Sequence, residues 1–266
     1  MRKRITGFSN PTVKAIRALR EKKHRKAAGR FLAEGLRLLT DARESGHVPE
    51  TLLMAEGRDP HPLLDALESA VGAAGGEVLE LAPELLGKVT GKDNPQAVAA
   101  VFAEWDTGLA AINRTAAPLF LVAQALRDPG NLGTVLRTAD AVGAGGLILL
   151  DDCADPFSVE AVRASMGAIF TVPLAQARWA DFVAWLRGGQ AQLVAASLRA
   201  AVPHRDAPYT APCFILVGNE SQGLPEAYES ACDLRVTIPM RGRADSLNAA
   251  IAAAVLAYEA DAALRG

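Results

Sequence analysis

The sequence has few aromatic residues, few cysteines and no long hydrophobic run. Aromatic residues make up 5% of the 266 positions, and the three cysteines are widely spaced and include no CxxC pair. An odd number of isolated cysteines predicts neither a disulfide framework nor a cysteine-based zinc site, and it favours a reducing, cytoplasmic location. The longest unbroken apolar run, Ala249 to Tyr258, is about half of the roughly 20 residues that span a bilayer. No membrane segment is therefore expected.

Familiar motifs for nucleotide and metal binding are also missing. The sequence contains no Walker A motif, and the glycine-rich segment at 143–146 follows a helical pattern and precedes a strand, which reverses the order of a dinucleotide-binding fingerprint. The four histidines lack metal-ligand spacing. Asp151, Asp152 and Asp155 could suggest a metal cluster, but an acidic loop after a strand is more often solvated. We therefore expect no metal site.

Charge is distributed unevenly along the chain. Residues 1–30 contain eleven lysines and arginines and one acid, Glu21, which gives this segment a charge of +10. The whole chain carries −2, so the other 236 residues carry −12. An acidic body with a basic N-terminal segment favours binding to a polyanion, although a transit peptide or a solvated helix has a similar composition. Asn10 and Pro11 begin a helical pattern that continues directly into core sequence, which argues against a transit peptide.

Patterns of hydrophobic residues divide the chain into two domains. Over residues 1–106, short apolar runs alternate with helical patterns, which predicts a small α/β/α domain. Residues 107–117 have no clear period and are rich in small and polar residues, so they are the predicted linker. Over residues 118–266, near-continuous apolar strands are separated by helices, which predicts a mostly parallel sheet covered on both faces. The fold class is therefore α/β.

Three segments of the second domain are candidates for a ligand site, because each places polar or glycine residues just after an apolar strand. The first, 124–139, forms a turn and a helix. The second, 214–224, ends in a glycine loop, and the third, 236–250, leads through a proline and glycine loop into the last helix. In open α/β sheets, ligands usually bind at the edge where the strands end. Each segment alone is explained equally well by a capped helix or a solvated turn.

Together and in this order, the three segments resemble the SpoU (TrmH-type) RNA ribose 2′-O-methyltransferases of the SPOUT superfamily. The resemblance rests on three motifs, NLGTVLRTADAVG at 131–143, LVGNESQGL at 216–224 and IPMRGRADSLNAAIA at 238–252. It covers residues 118–262. Ser221 stands where many members of the family have a glycine. Residues 5–104 are similar, less specifically, to the family's L7Ae/L30e-type RNA-binding domain.

The resemblance implies a C-terminal domain with a deep trefoil knot, in which the chain makes a pocket for S-adenosylmethionine. It implies transfer of a methyl group to a ribose 2′-hydroxyl of RNA, with ribosomal RNA preferred because the accessory domain suits a large folded substrate. A transfer RNA substrate, a base methyltransferase activity and a non-catalytic RNA-binding role stay as alternatives. Family members act as homodimers with active sites near the subunit interface. The last helix, which has a surface of small residues, is the candidate for part of that contact.

The resemblance also assigns roles to individual residues. The active-site set is Asn131, Arg137, Glu220, Ser246 and Asn248. The cofactor set is Ser197, Leu216, Gly218, Ile238, Met240 and Leu247. Within the cofactor set, Gly218, Ile238 and Leu247 are expected to make contact largely through backbone groups. The basic face of the first helix supplies the RNA-binding set, Lys14, Arg17, Lys22, Lys23, Arg25 and Lys26.

Arg137 is the residue to which we assign the main catalytic role. A ribose hydroxyl loses its proton as its bond to the methyl group forms. Because the pKa of a guanidinium is above about 12, Arg137 is a poor proton acceptor. We therefore expect it to hold the adjacent phosphate and to stabilise the developing alkoxide electrostatically. Glu220, Asn131 and Asn248 are expected to hold loops and orient the substrate, while Ser246 positions Asn248 or the ribose.

Overall fold

The computed structural model describes residues 2–92, 96–199, 201–219 and 222–266. Numbered in chain order, the strands are β1 (Arg2–Ile5), β2 (Arg30–Glu34), β3 (Thr51–Ala55), β4 (Glu77–Leu81), β5 (Val98–Ala103), β6 (Leu119–Gln124), β7 (Leu147–Leu150), β8 (Leu174–Ala177), β9 (Gln192–Ala196), β10 (Val202–Pro203), β11 (Cys213–Val217) and β12 (Leu234–Thr237). The helices are α1 (Pro11–Ala18), α2 (Lys22–Ala28), α3 (Leu36–Glu44), α4 (Pro62–Ala73), α5 (Pro83–Thr90), α6 (Pro129–Ala141), α7 (Val159–Ala164), α8 (Trp179–Arg187), α9 (Glu226–Ser230) and α10 (Ala249–Arg265). Within these described ranges, no helix is long and apolar enough to cross a membrane.

Contacts divide the chain into two compact units. The first unit comprises residues 1–105 and 155–171, and the second comprises residues 106–154 and 172–266. The sequence patterns assigned 155–171 to the second domain, but this segment packs in the first unit. Its Phe157 and Phe170 rings are buried beside Phe31, at centroid distances of 4.9 and 6.1 Å. Hydrophobic periodicity does not show that residues 155–171 pack in the first unit. It indicates which residues are buried, but not which part of the chain they pack against.

The first unit contains a five-stranded mixed sheet in the order β1-β4-β3-β5-β2. Strands β1, β4 and β3 run parallel, whereas β5 pairs antiparallel with both β3 and β2. Helix α1 packs beside α5, and α3 packs beside α4. Fully buried side chains from the central strands, such as Leu53 and Leu79, form a core with α1 and α5. This is the mixed helix and strand domain that the alternating patterns predicted.

The basic N-terminal segment forms two helices rather than one, and a buried arginine holds the turn between them. The Arg25 guanidinium donates hydrogen bonds to the carbonyl oxygens of Leu19 and Arg20 at 2.9 and 2.8 Å. It also donates to Asp155 Oδ2 at 2.7 Å. Only 2% of Arg25 is exposed, so its assignment to an RNA-binding face is corrected to a structural role. A helical wheel drawn from the sequence misplaces Arg25, because the helix breaks at residues 19–21.

The second unit is built on a seven-stranded sheet in the order β10-β12-β9-β11-β6-β7-β8. All of its strand pairs are parallel. The central strands β6, β7 and β11 are buried along their whole length, as expected for a parallel sheet covered on both faces. Phe120 and Phe214 are opposite one another in neighbouring strands and stack with a centroid distance of 4.5 Å. The predicted α/β class with a parallel sheet is confirmed.

Residues 107–117, the predicted linker, belong to the second unit. A short 3-10 helix occupies Leu109–Ala111, and the following Ile112 is buried in the core of this unit. The Arg114 guanidinium donates hydrogen bonds to the carbonyl oxygens of Trp185 and Leu186 at the end of α8. The segment lacks a periodic pattern because it packs as irregular backbone, and it is therefore an ordered part of the domain instead of a free connection.

Helix α10 packs against α6 and against strands β6 and β11. Its buried side is made mainly of small residues, among them Ala250, Ala253 and Ala257, which let the helix approach its neighbours closely. This packing fixes the beginning of α10 beside the beginning of α6. The polar residues that precede and open the two helices are therefore held together.

Candidate cofactor cavity and active site

A cavity of about 250 Å³ lies where β9, β11 and β12 end in the second unit. The residues just after these strands, Ser197, Gly218 and Ile238, line it together with the first turn of α10. Parallel strands end at the same edge of a sheet, and this edge is where open α/β sheets usually bind ligands. The cavity therefore has the position that the sequence analysis expected for the cofactor.

Five of the six residues assigned to the cofactor line this cavity. They are Ser197, Gly218, Ile238, Met240 and Leu247. The sixth, Leu216, is fully buried in β11 and belongs to the hydrophobic core of the unit. Leu216 is therefore corrected to a core residue. Its position in the motif resembles that of a ligand contact, but the strand directs its side chain into the core.

The lining of the cavity is mostly apolar and carries no charged side chain among the residues that the structure describes. Leu198, Val217, Val236 and Leu256 add to the apolar walls. A few polar groups, such as the hydroxyls of Ser197 and Ser246, lie among them. Apolar walls with a small number of polar groups are typical of cofactor sites. They fit an adenosyl group, whose flat ring needs apolar surface and whose polar edge can bond to loop backbone.

Gly218 is required by the loop that follows β11. A Cβ atom at this position would lie 2.5 Å from the carbonyl carbon of Gly223 and 2.6 Å from the backbone nitrogen of Leu224. Gly223 itself has a positive φ of 65° and closes the loop by donating from its backbone N–H to the carbonyl of Asn219 at 2.9 Å. The sequence analysis assigned Gly218 a backbone contact with the cofactor. The geometry adds a different reason, since the loop folds back on its own backbone at this glycine.

Hydrogen bonds link the three motif segments. Asn248 Nδ2 donates to Asn131 Oδ1 at 3.0 Å, and Asn248 Oδ1 accepts from the backbone nitrogens that begin α10. Asn219 Nδ2 donates to the carbonyl of Ala125 at 2.9 Å. Asp128 caps α6, and its Oδ1 accepts from the Asn131 N–H at 2.7 Å. The side-chain amide of Asn131 does not cap the helix, and its Oδ1 accepts from Asn248 of the third segment.

The remaining active-site predictions have three different outcomes. Ser246 lines the cavity. Arg137 is exposed on α6 and does not line the cavity of its own chain. Glu220 lies outside the described residues. The structure therefore brings together Asn131, Ser246 and Asn248 and leaves Arg137 on an open face.

Sequence reasoning missed several residues at the cavity. The missed residues are Leu198, Asn219 and Gln222. Leu198 and Asn219 each follow a residue of the cofactor set, and Gln222 precedes a glycine of the second motif. Arg199 reaches from the same loop as Leu198, and its Nη2 atom lies 3.2 Å from Oε1 of the buried Glu229. This pair connects the loop after β9 to α9. No local pattern indicates it, because its members are distant in sequence.

The cysteines do not provide a nucleophile or a metal site. Burial raises the pKa of Cys153 to about 11 and the pKa values of Cys213 and Cys232 to about 12, so these thiols stay protonated at neutral pH. All three are unpaired thiols. No group of three metal-ligating side chains occurs in the part of the chain that the structure describes.

Comparison with known proteins identifies the family. Residues 118–258 match the sequence model of the SpoU rRNA Methylase family, and residues 10–100 match that of the MRM3-like substrate binding domain. The chain is 33% identical over 257 residues to the 23S rRNA (guanosine(2553)-2′-O)-methyltransferase RlmP of Bacillus subtilis, and the match covers 96% of this chain and 98% of the relative. It is 34% identical over 244 residues to a 23S rRNA (uridine(2479)-2′-O)-methyltransferase of Streptomyces viridochromogenes, with coverages of 89% and 84%.

Solved structures agree over the whole chain. The AdoMet-bound rRNA methyltransferase from Sinorhizobium meliloti has a TM-score of 0.91 at 41% identity and covers 97% of both chains. The SpoU methyltransferase AviRb from Streptomyces viridochromogenes in complex with AdoMet has a TM-score of 0.84 at 32% identity, with coverages of 95% and 97%. The resemblance seen in the sequence motifs is confirmed. The chain belongs to the SpoU rRNA methylase family and joins its methylase domain to an MRM3-like substrate-binding domain.

Proposed function

We propose that this protein transfers the methyl group of S-adenosylmethionine to a ribose 2′-hydroxyl of ribosomal RNA. The observation that carries the proposal is the cavity at the strand ends, which is lined by the loop after β9 and by residues of the second and third motif segments. Asn248, which follows the lining residue Leu247, donates a hydrogen bond to Asn131 of the first motif. The names of full-length relatives support it, because they describe 2′-O-methylation of 23S rRNA and AdoMet-bound rRNA methyltransferases. A cytoplasmic location fits this substrate and stays a prediction.

The cofactor would be held by the loops after β9, β11 and β12. Ser197, Gly218 and Ile238 would bind it, with Leu247 at the start of α10 closing the apolar wall. When bound, S-adenosylmethionine supplies an electrophilic methyl group on a sulfonium. The Asn131 and Asn248 amides would orient the ribose beside the cavity, because their mutual hydrogen bond fixes both side chains. Ser246, which lines the cavity, would position the ribose or Asn248.

Arg137 would stabilise negative charge on the reacting oxygen. As the ribose 2′-oxygen takes the methyl group that the bound cofactor would supply, its hydroxyl proton would leave to solvent and negative charge would develop on the oxygen. A guanidinium is always charged at neutral pH and can hold a phosphate and the developing alkoxide together. In this role Arg137 lowers the energy of the charged oxygen without accepting its proton.

We also propose that the protein acts as a homodimer through the open faces of α6 and α10. Ile251 and Tyr258 are 53% and 56% exposed, and their spacing of seven residues places them on one face of α10. Arg137 is exposed on α6 and lies apart from the cavity lining. A second copy packed on these faces would cover the apolar residues and could place the arginine of one copy near the cavity of the other.

RNA binding in the first unit is proposed to use the exposed cations Lys14, Arg17, Lys22, Lys23 and Lys26. Arg25 is removed from this set because it is buried in an ion pair. Lys26 Nζ lies 3.1 Å from Glu104, so part of its charge is already neutralised. The remaining cations would attract phosphates without regard to sequence.

Alkaline hydrolysis mapping tests the proposed reaction. Purified protein is incubated with ribosomal RNA and S-adenosylmethionine carrying a labelled methyl group. We expect label in 23S rRNA and a single gap in the hydrolysis ladder, because a 2′-O-methyl group blocks strand cleavage. Label without a gap would indicate a base methyltransferase. Calorimetric titration that detects no S-adenosylmethionine binding would instead support a non-catalytic RNA-binding role.

Mixing two impaired variants tests the dimer, at a low concentration of S-adenosylmethionine where weakened cofactor binding limits the activity of one of them. Arg137→Ala leaves the cavity intact, whereas Gly218→Ala alters the cavity and leaves the arginine. If the arginine acts across the interface, mixed dimers contain one complete site, and activity returns on mixing. Tyr258→Asp should make the protein monomeric in light scattering. A monomeric wild-type protein with full activity would contradict the dimer proposal.

A further inference from the structure

A second, larger cleft of about 770 Å³ lies in the first unit and shares no lining residue with the cofactor cavity. It lies beside α1, α5 and the loop after β3. Its lining includes five cationic residues, Arg17, Arg20, Arg58, Lys88 and Lys92. Two acids, Glu56 and Glu84, also line it. The excess of positive charge makes the cleft complementary to an anion.

Ion pairs inside the unit engage one acid of the cleft, Glu56, and two of its five cations, Arg58 and Lys92. The other three cations, Arg17, Arg20 and Lys88, form no ion pair with the described residues. Arg4 donates two hydrogen bonds to Glu56, at 2.5 and 3.0 Å, so this carboxylate is already satisfied. Lys92 pairs with the buried carboxylate of Glu34. The Nε atom of Arg58 is buried, and no described group accepts its hydrogen. Nη1 of Arg58 lies 3.7 Å from Oε1 of Glu80, whereas Arg17 and Arg20 are exposed residues.

Gly91 leaves room for one of these guanidinium groups. A Cβ atom at Gly91 would lie only 2.1 Å from Cζ of Arg20. The guanidinium therefore lies directly against the backbone of a glycine that lines the same cleft. Arg20 is an exposed residue, so its guanidinium lies at the wall of the cleft and faces solvent.

An exposed phenyl ring stands at the edge of this basic surface. The chain has eight phenylalanines, and all except Phe8 are buried. Phe8 is 54% exposed in the turn that precedes α1. Nζ of Lys88, which lines the cleft, lies 5.6 Å from the centroid of the Phe8 ring. An aromatic ring left in water beside a cluster of cations is the combination that single-stranded nucleic acid sites use.

We propose that Phe8 and this cleft bind an unpaired nucleotide of the RNA substrate, with its base stacked on the Phe8 ring and its flanking phosphates held by Arg17, Arg20 and Lys88. The proposal rests on the proposed function, because it takes RNA as the substrate. It assigns the first unit a specific task, which is to select unpaired RNA. Phosphate attraction alone would not distinguish a loop from a duplex, whereas stacking requires a base that is free to leave its helix.

Binding of a short RNA hairpin to the full-length protein tests this assignment. The probe carries a fluorescent adenine analogue in its unpaired loop, and a fully paired duplex of the same length is the comparison. We expect Phe8→Ala to weaken hairpin binding by about tenfold and to leave duplex binding unchanged, because only the hairpin offers a base for stacking. Phe8→Trp should restore the affinity and quench the analogue. Leu63→Ala, at an exposed apolar side chain of α4, is the matched control with wild-type binding.

The cationic part of the site has its own readout. The double variant Arg17→Ala and Arg20→Ala should reduce the dependence of hairpin affinity on salt, since two phosphate contacts are lost. Equal binding of hairpin by wild type and Phe8→Ala would overturn the stacking proposal. So would equal loss of hairpin and duplex binding in Phe8→Ala. Titration with S-adenosylmethionine tests the proposed function separately. If Phe8→Ala binds RNA like wild type and the protein still binds the cofactor, only the nucleotide site is refuted.

Discussion

The two units of this protein present cavities of opposite character. In the second unit, the described lining of the cofactor cavity carries no charged side chain, and its walls are mostly apolar. In the first unit, the cleft beside α1 and α5 carries five cations and is more than twice as large, at about 770 against about 250 Å³. An apolar site suits a small cofactor, and a basic cleft suits a polyanion. In our proposals the second unit binds the methyl donor and the first unit binds RNA, so a variant in one unit is expected to leave the ligand of the other unit unaffected.

The largest effect is expected from Arg137→Ala. Removing a donor that stabilises developing negative charge typically lowers turnover by roughly 10²- to 10³-fold. Affinities for S-adenosylmethionine and RNA should stay near wild type, because Arg137 lies outside the cavity and outside the first unit. Single-turnover methylation assays and titrations measure these quantities. Arg187→Ala, at an exposed arginine of the same unit, is the control. Near-normal turnover of Arg137→Ala would contradict the electrostatic role.

Arg25→Ala distinguishes a structural arginine from an RNA-binding one. Removing one member of a buried ion pair typically costs about 3–5 kcal/mol of stability, because the partner charge is left buried and unpaired. We expect that loss for the first unit, measured by hydrogen exchange, since Asp155 would lose its partner. Arg17→Ala, on the exposed face, should change stability by less than about 0.5 kcal/mol. Recovery of stability in the double variant Arg25→Met and Asp155→Leu would support the ion-pair explanation, and a stable Arg25→Ala protein would refute it.

The affinity for RNA should depend on salt concentration much more strongly than the affinity for S-adenosylmethionine. If the first unit contacts about four phosphates of an unpaired strand, RNA affinity should fall by about 50-fold between roughly 50 and roughly 200 mM salt. The affinity for S-adenosylmethionine should change by less than about twofold, because the walls of its cavity are uncharged. Titrations of both ligands over the same salt series measure this difference. Equal salt dependence of the two affinities would show that the charge separation between the units has no functional consequence.

Gly218→Ala should weaken cofactor binding by about tenfold, since an added methyl group displaces the loop and overpacking typically costs about 1–3 kcal/mol. The predicted clash is with backbone atoms of Gly223 and Leu224, which cannot move independently. Gly242→Ala is the matched control, because a Cβ there meets nothing within 4 Å. RNA binding by the first unit should be equal in both variants. An unchanged cofactor affinity in Gly218→Ala would show that the loop tolerates the displacement.

The sequence predicted the parallel sheet because strands that are buried on both faces, such as β6 and β11, are near-continuous apolar runs. Such a run can be seen in the sequence of each strand by itself. The resemblance also assigned Ser197, Gly218, Ile238, Met240 and Leu247 to the cofactor, and these five line one cavity, whereas their contact with the cofactor stays a prediction. It failed at Leu216, where a motif position turned out to face the core. A motif records which residues occur together and does not record the direction of each side chain.

What the sequence determined by itself was the class of fold, the family and the edge of the sheet at which the cofactor site forms. Only the tertiary structure decided that Arg25 is buried against Asp155, that residues 155–171 return to the first unit, and that Phe8 stands exposed beside Lys88. Strand burial and loop chemistry depend on neighbours along the chain, which a sequence displays directly. Ion pairs and clefts depend on residues that are distant in sequence, so they exist only once packing has brought those residues together.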